Sequence, residues 1–189
     1  MASQLCLVLG GVRSGKSAFA ESKVASLSQS NSGSVLYVAT GVAVDDEMKQ
    51  RIQRHQESRP KDWVTLEEPT DLVAKIAPLL SDGQDVGTVI IDSVDVWVAN
   101  LLMEHQAESK EAIEKIVTDA ADQLLVLTAV SPQAYVMVSS EVGLSLVPPE
   151  PLGRRFQDLL GSVNQRLAAT ATEVYLVVAG IPAQIKPYD

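Results

Sequence analysis

The sequence predicts a three-layer α/β fold built on a mostly parallel central sheet, and three observations carry that expectation. Short apolar, β-branched runs at 5–9, 35–39, 88–92, 134–139 and 173–179 alternate with segments of helical composition, the pattern that crossover connections between parallel strands impose. The first run turns straight into Gly10-Gly11-Val12-Arg13-Ser14-Gly15-Lys16-Ser17 and then into a helical stretch. This matches G-x-x-x-x-G-K-[ST] at every defined position, in the strand-before, helix-after context that a phosphate-binding loop needs. Hydrophobic residues make up 46% of the 189 residues. That is enough for one full core and too little chain for two ordinary domains, so 1–189 is expected to be a single P-loop nucleotide-binding domain.

Composition narrows the function classes. A formal charge of −9 and a pI near 4.7 argue against a broad basic surface for nucleic acid. The single Cys6 lies inside the first apolar run, where a buried thiol is structural, and one cysteine cannot close an internal disulfide. Residues 1–9 lack the basic start of a signal peptide and lead directly into the phosphate loop. No apolar run reaches the ~18 residues of a membrane span. A cytoplasmic protein without a membrane span is the expectation.

Strand 5–9 delivers the chain to the loop. Gly10, Gly11 and Gly15 admit backbone conformations that turn successive N–H groups toward phosphate oxygens. Lys16 brings a positive charge to the β- and γ-phosphates, and the Ser17 hydroxyl suits Mg²⁺. The helix predicted over 17–27 adds its N-terminal dipole, which also favours an anion. A Ser, Asn and Gly loop at 28–34 leads to strand 35–39, which ends at Thr40-Gly41.

Residues 45–58 predict a helix, because Asp45, Asp46 and Glu47 suit its first turn and Pro60 lies just past its end. Met48, Ile52, His55 and Arg59 share one stripe on it. A strand at 63–66 and a helix at 70–80 follow, with Thr70 as the expected N-cap. Thr88-Val89-Ile90-Ile91-Asp92 is then a buried strand ending in a carboxylate. This is the Walker B pattern, the place where a P-loop protein holds Mg²⁺ directly or through water. The plainer alternative makes Asp92 the N-cap of the next helix.

Helices are predicted at 94–102 and 109–130, separated by the polar stretch 104–108. Strand 134–139 opens into an irregular loop through Ser140-Glu141-Val142-Gly143 and Val147-Pro148-Pro149-Glu150, at the edge where α/β sheets bind ligands. A helix within 151–172 carries Arg154, Arg155 and Arg166, which face either solvent or phosphate. The last long strand is 173–179, with a short terminal one at 180–186.

A phosphate loop by itself specifies only nucleotide binding. Further motifs discriminate: Leu36-Tyr37-Val38-Ala39-Thr40, the run Asp45-Asp46-Glu47-Met48 leading to Arg51-Ile52 and His55, Arg59-Pro60 with Trp63, and Asn100-Leu101-Leu102. They continue through Glu141-Val142-Gly143, Val147-Pro148, Arg154-Arg155-Phe156, Asn164-Gln165-Arg166-Leu167-Ala168-Ala169 and Val177-Val178-Ala179-Gly180. With GG-x-RSGKS at the loop, these make the sequence resemble, over nearly its whole length, the bifunctional adenosylcobinamide kinase/adenosylcobinamide-phosphate guanylyltransferase family of cobalamin biosynthesis.

The resemblance implies a P-loop NTPase fold of the RecA-like kind and a two-reaction enzyme using GTP, ATP and Mg²⁺. In the first reaction adenosylcobinamide takes the γ-phosphate of a nucleoside triphosphate. In the second, a histidine attacks the α-phosphorus of GTP and passes GMP to adenosylcobinamide phosphate, giving adenosylcobinamide-GDP. The matching histidine is His55. Periodicity alone reads His55 as a buried-face histidine beside Met48 and Ile52; the resemblance makes it the nucleophile, a role that a neutral imidazole near pH 7 can fill. His105 lies in the polar connector without comparable context.

The resemblance also implies that Thr40, Gly41 and Val42, then Gln56, Glu57, Ser58 and Arg59, and the acids Glu67 and Asp92, hold the guanine nucleotide alongside Gly10–Ser17. Arg59 suits phosphate, and a carboxylate suits ribose hydroxyls or the guanine edge; a solvated Glu67 in an acidic turn is the plainer alternative. Where many relatives carry Asn before Glu-Val-Gly and Gly two residues after that motif's glycine, this chain has Ser140 and Ser145, both in the loop expected to meet the corrinoid. The family is typically homotrimeric, which is the assembly the resemblance implies. The alternative among enzymes is a P-loop kinase of another small alcohol, with His55 structural, and the alternative from a different class is a non-catalytic GTP-responsive binding module.

Overall fold

The structure is a computed structural model that describes residues 4–30, 33–42, 60–81 and 85–187. The helix expected over 45–58 lies outside the described residues. Strand β1 (Leu5–Gly10) leads into helix α1 (Lys16–Ser30), followed by β2 (Ser34–Ala39), β3 (Val64–Glu67), α2 (Leu72–Ser81) and β4 (Val86–Asp92). Then come α3 (Val94–Glu104), α4 (Lys110–Val130), β5 (Ala134–Ser140), α5 (Pro151–Thr170), β6 (Glu173–Val178) and β7 (Ile181–Lys186).

The seven strands form one sheet in the order β3-β2-β4-β5-β1-β6-β7. Every pairing is parallel except that of β6 with β7. Strand β1 therefore lies between β5 and β6, and β5 separates it from β4. The carboxyl ends of β1, β2, β4 and β5 share one edge, and the phosphate loop, Thr40 and Asp92 lie there.

The continuous apolar strands follow from burial on both faces. Along β1 the side chains alternate between two cores. Leu5, Leu7 and Leu9 join a cluster with Leu36, Val38, Val89, Ile91, Tyr135 and Met137, covered by Ile76 of α2, Trp97 of α3, Leu124 of α4 and Leu160 of α5. Cys6 and Val8 point the other way, into a smaller cluster with Val35, Tyr37, Ile90, Val136 and Val138, covered by Ala20 and Val24 of α1. The expectation of a structural thiol holds: Cys6 is fully buried, and burial first, then the nearby Glu173 carboxylate, push its pKa up to about 12.

Local signals set most element ends. The Ser109 hydroxyl accepts the N–H of Ala112 and caps α4, as its residue type favours. Thr70 is not the cap expected of it: α2 begins at Leu72, and the turn before it is held by Glu68, whose Oε1 accepts the N–H groups of Thr70 at 3.0 Å and Asp71 at 2.8 Å. The Glu68 carboxylate thus holds the donors that lead into the helix, which starts two residues later than expected. The two residues joining β6 to β7, Ala179 and Gly180, have φ of 50° and 81°, the double positive φ of a type I′ hairpin turn. No helix among the described residues is long and apolar enough to cross a membrane.

Glu173, at the start of β6, accepts Lys23 Nζ at 2.6 Å, the Tyr175 hydroxyl at 2.7 Å and Gln4 Nε2 at 3.4 Å. Burial pushes this carboxyl up, but the hydrogen bonds from Lys23 and Tyr175 outweigh it and leave the pKa below the ordinary value. A carboxylate held below its unfolded pKa of about 4.3 stabilises the fold above that pH, and the contribution is lost as pH falls through the lower folded value. Glu173→Gln is accordingly expected to lower the urea midpoint at pH 7, with the gap to wild type closing as the pH is taken below about 4. Leu124→Ala, which empties a fully buried site on α4, is expected to cost about 2–5 kcal/mol in the same urea titration.

Candidate active site

Gly10 ends β1 where no side chain fits. A Cβ there would lie 2.4 Å from Ser14 Oγ and 2.8 Å from the Val177 carbonyl oxygen. Beyond it the loop takes backbone conformations that favour glycine, with φ of 55° at Arg13 and 93° at Gly15. Its shape is held by the Ser14 N–H on the Gly11 carbonyl at 3.2 Å and the Phe19 N–H on the Gly15 carbonyl at 3.0 Å. Two bonds from elsewhere clamp it: the Gly180 N–H donates to the Ser14 carbonyl at 2.8 Å, and the Glu141 N–H donates to the Gly10 carbonyl at 3.2 Å.

Val12 and Arg13 form the exposed tip of this loop. Lys16 opens α1, and its Nζ folds back to the Gly11 carbonyl at 3.4 Å. The cation, the free N–H groups of the first helical turn and the helix dipole converge on one spot, which is what binds a polyphosphate.

Asp92 ends β4 and meets that helical turn. Ser17 Oγ lies 3.5 Å from Asp92 Oδ1, and the Tyr37 hydroxyl donates to Oδ2 at 2.6 Å. The carboxylate caps nothing: Ser93 takes the N-cap position of α3. A hydroxyl and a carboxylate facing each other are hard oxygen donors that fit Mg²⁺. Among the described residues no three His, Cys, Asp or Glu cluster as a cage, in keeping with an ion whose shell is completed by phosphates and water.

Thr40, Gly41 and Val42 leave the carboxyl end of β2. The Thr40 hydroxyl is committed internally, donating to the Ser93 carbonyl at 2.8 Å and accepting the Ser93 N–H at 2.9 Å. Asn100 Nδ2 donates to the Thr40 carbonyl at 2.9 Å and to that of Pro69 at 3.1 Å. Thr40 thus joins β2 to the start of α3, and Gly41 and exposed Val42 carry the backbone outward from the edge. Glu67 is exposed at the end of β3, opposite Ala39 in register. His55, Gln56, Glu57, Ser58 and Arg59 lie outside the described residues.

The other candidates separate clearly. Arg166 is paired with Asp122 through Nη1 at 2.9 Å and 3.1 Å, and Arg154 bonds the Pro148 and Pro149 carbonyls, so neither faces the phosphate loop. The His105 N–H closes α3 on the Leu101 carbonyl. Tyr37 and Gly180 stand in motifs of the sequence, but sequence reasoning gave neither a role. Gly180 carried a signal, a glycine between two apolar runs, whereas Tyr37 looked like any other strand aromatic.

Comparison with known proteins decides the family. The family described as cobinamide kinase / cobinamide phosphate guanyltransferase matches residues 6–185. The chain belongs to that family. Its relatives include the bifunctional adenosylcobalamin biosynthesis protein CobU of Escherichia coli K12, 37% identical over 188 residues, covering 96% of this chain and 99% of the relative. The CobU protein of Salmonella typhimurium LT2 is 38% identical over 192 residues, with the same coverage of 96% and 99%. The bifunctional adenosylcobalamin biosynthesis protein CobP of Pseudomonas aeruginosa is 34% identical over 180 residues, covering 95% of this chain and 96% of the relative. The family match spans the phosphate loop, the Asp92 strand and the β6–β7 hairpin together.

Gly10→Ala tests the loop geometry. The added methyl meets a backbone carbonyl that cannot rotate away, so GTP affinity is expected to fall at least about tenfold, or ~1.4 kcal/mol. Titration with a fluorescent GTP analogue measures it, and an unchanged affinity would show that the loop tolerates the methyl.

Proposed function

We propose that this chain phosphorylates adenosylcobinamide and then transfers GMP from GTP, through a guanylylated His55, to adenosylcobinamide phosphate, yielding adenosylcobinamide-GDP. The observation that carries the reading is Ser17 facing Asp92 across the mouth of a clamped phosphate loop, in a chain matched to a kinase/guanyltransferase family over residues 6–185.

In the kinase half, the loop N–H groups and Lys16 hold a triphosphate, ATP or GTP. The amino-alcohol oxygen of the acceptor bonds to the γ-phosphorus as the bridge to the nucleoside diphosphate breaks, and the hydroxyl proton leaves to solvent. Lys16 is worth most when charge spreads over the transferred group, the term that dominates phosphoryl transfer. Mg²⁺, held by Ser17 and Asp92, would neutralise phosphate charge. Tyr37 keeps the Asp92 carboxylate turned toward Ser17 by occupying its other oxygen.

In the guanylyl half, a neutral His55 nitrogen bonds to the α-phosphorus of GTP as the bond to the pyrophosphate oxygen breaks. A phosphate oxygen of adenosylcobinamide phosphate then bonds to the same phosphorus, the N–P bond breaks and His55 is restored. Thr40 to Val42, Gln56 to Arg59 and Glu67 are proposed to surround the guanine nucleotide. The assembly is proposed to be a homotrimer.

Incubation with α-labelled GTP and Mg²⁺ is expected to give an acid-labile, base-stable protein adduct that is absent from His55→Ala. Label that persists in His55→Ala, or no label in wild type, would overturn the histidine mechanism. Lys16→Ala is expected to lower transfer of labelled γ-phosphate to adenosylcobinamide by about 10²-fold or more, read by chromatography of the corrinoid.

A further inference from the structure

The loop between β5 and α5 is anchored along its length yet turns its apolar residues to solvent. Its first residue, Glu141, bonds Gly10 of the phosphate loop. Its middle is tied to α5 by Gln157 Nε2, which donates to the Val142 carbonyl and to Ser145 Oγ, both at 2.9 Å. Arg154 holds its end through the carbonyls of Pro148 and Pro149. Even so, Leu144, Leu146 and Val147 are 83%, 93% and 74% exposed. A mobile loop would expose such residues in passing; this one is braced at three points with them outward.

Beside the end of the loop lies an open cavity of about 400 Å³, walled by Val147 and Pro151 and lined by Lys110, Arg154, Arg155 and Gln157, with Asp158 as its one acid. It sits where α4 and α5 begin, at the same carboxyl edge of the sheet as the phosphate loop. Three cations at one hollow stand out in a chain of net charge −9. Among the described residues Lys110 and Arg155 have no hydrogen-bond or ion-pair partner, although Glu111 is near enough to feel both.

A ligand for this surface must meet three demands. It needs an apolar face for Leu144, Leu146 and Val147. It needs carbonyl or phosphate oxygens for the unused donors of Lys110 and Arg155. It must also reach the phosphate loop with a hydroxyl or phosphate, since the surface runs into that loop at Gly10. A nucleotide meets the last two and fails the first. A corrinoid, an apolar macrocycle rimmed with amide carbonyls and bearing an amino-alcohol arm, meets all three.

We infer that the 141–150 loop and this cavity are the acceptor site, gripping the amide-bearing rim of the corrinoid while its arm extends to the phosphate loop. The inference rests on the proposed function and names the substrate-binding surface of that reading. A cavity of this size lies within the range of small-molecule sites. It holds one edge of the macrocycle, leaving the ring face on the leucines. Ser145 belongs to the brace, since its hydroxyl both bonds the Val142 carbonyl and receives Gln157.

Steady-state kinetics with adenosylcobinamide as the varied substrate test this in Leu146→Asp and Arg155→Ala. Each is expected to raise KM for adenosylcobinamide at least tenfold with kcat within about twofold. GMP labelling of the protein from GTP alone, which requires no corrinoid, is expected to continue, and the melting temperature to stay within a degree or two. Unchanged KM in both variants, with a wild type that turns adenosylcobinamide over, overturns the acceptor site and leaves the proposed function standing. A wild type that neither binds nor phosphorylates adenosylcobinamide overturns the functional reading itself.

Discussion

The rest of the structure depends on the close approach at Gly10. With Ser14 and the Val177 carbonyl occupying the space where a side chain would go, and with its own carbonyl receiving the Glu141 N–H, this residue is the point where the ends of β1, β5 and β6 converge. The phosphate loop is therefore a junction and not a free turn. Its anion-binding N–H groups are aimed by the packing of β1 between two neighbours, and the Gly180 hairpin fastens the loop's far side. Groups aimed before the ligand arrives need no reorganisation when charge develops, which is the main electrostatic advantage of such a site.

Asp92 shows how sheet order reaches chemistry. β4 does not touch β1, because β5 intervenes. The carboxylate reaches the phosphate loop only because α1 crosses over the sheet and brings Ser17 to it. Tyr37, on β2 and beside β4, then fixes the orientation of the carboxylate from the opposite side. Three elements far apart in sequence thus define one oxygen-lined position, whose distance from Gly10 is set by strand spacing.

The acceptor side obeys a different constraint. Phosphates are met chiefly by backbone N–H groups, whereas an acceptor with a large apolar body must be met by side chains. In the inferred acceptor site the loop after β5 provides these, and the loop is braced to Gly10 and to α5. The two proposed transfers, which differ in the phosphorus attacked, would then share one nucleotide loop.

Much of this was legible in the sequence, for local reasons. The phosphate loop is built from eight consecutive residues, Walker B from one strand end, and the alternation of strands and helices from runs of apolar residues, so each signal is contiguous. Strand ends differed from expectation by only a residue or so, as at β5, expected to end at Ser139 and ending at Ser140. The failures were at places where a side chain's choice of partner decided, as when the Glu68 carboxylate, and not Thr70, held the turn before α2. By itself the sequence determined the layered α/β class, the triphosphate-binding loop, the acidic residue facing it and the family. Only the tertiary structure decided that Tyr37 orients Asp92, that Gly180 clamps Ser14, that Thr40 spends its hydroxyl on Ser93 and that the apolar loop is braced outward. Tyr37 with Asp92, Gly180 with Ser14, Thr40 with Ser93 and the loop's tie from Glu141 to Gly10 all join residues tens of positions apart or more, and pairings at that range are set by strand order and side-chain packing, which leave no periodic trace along the chain.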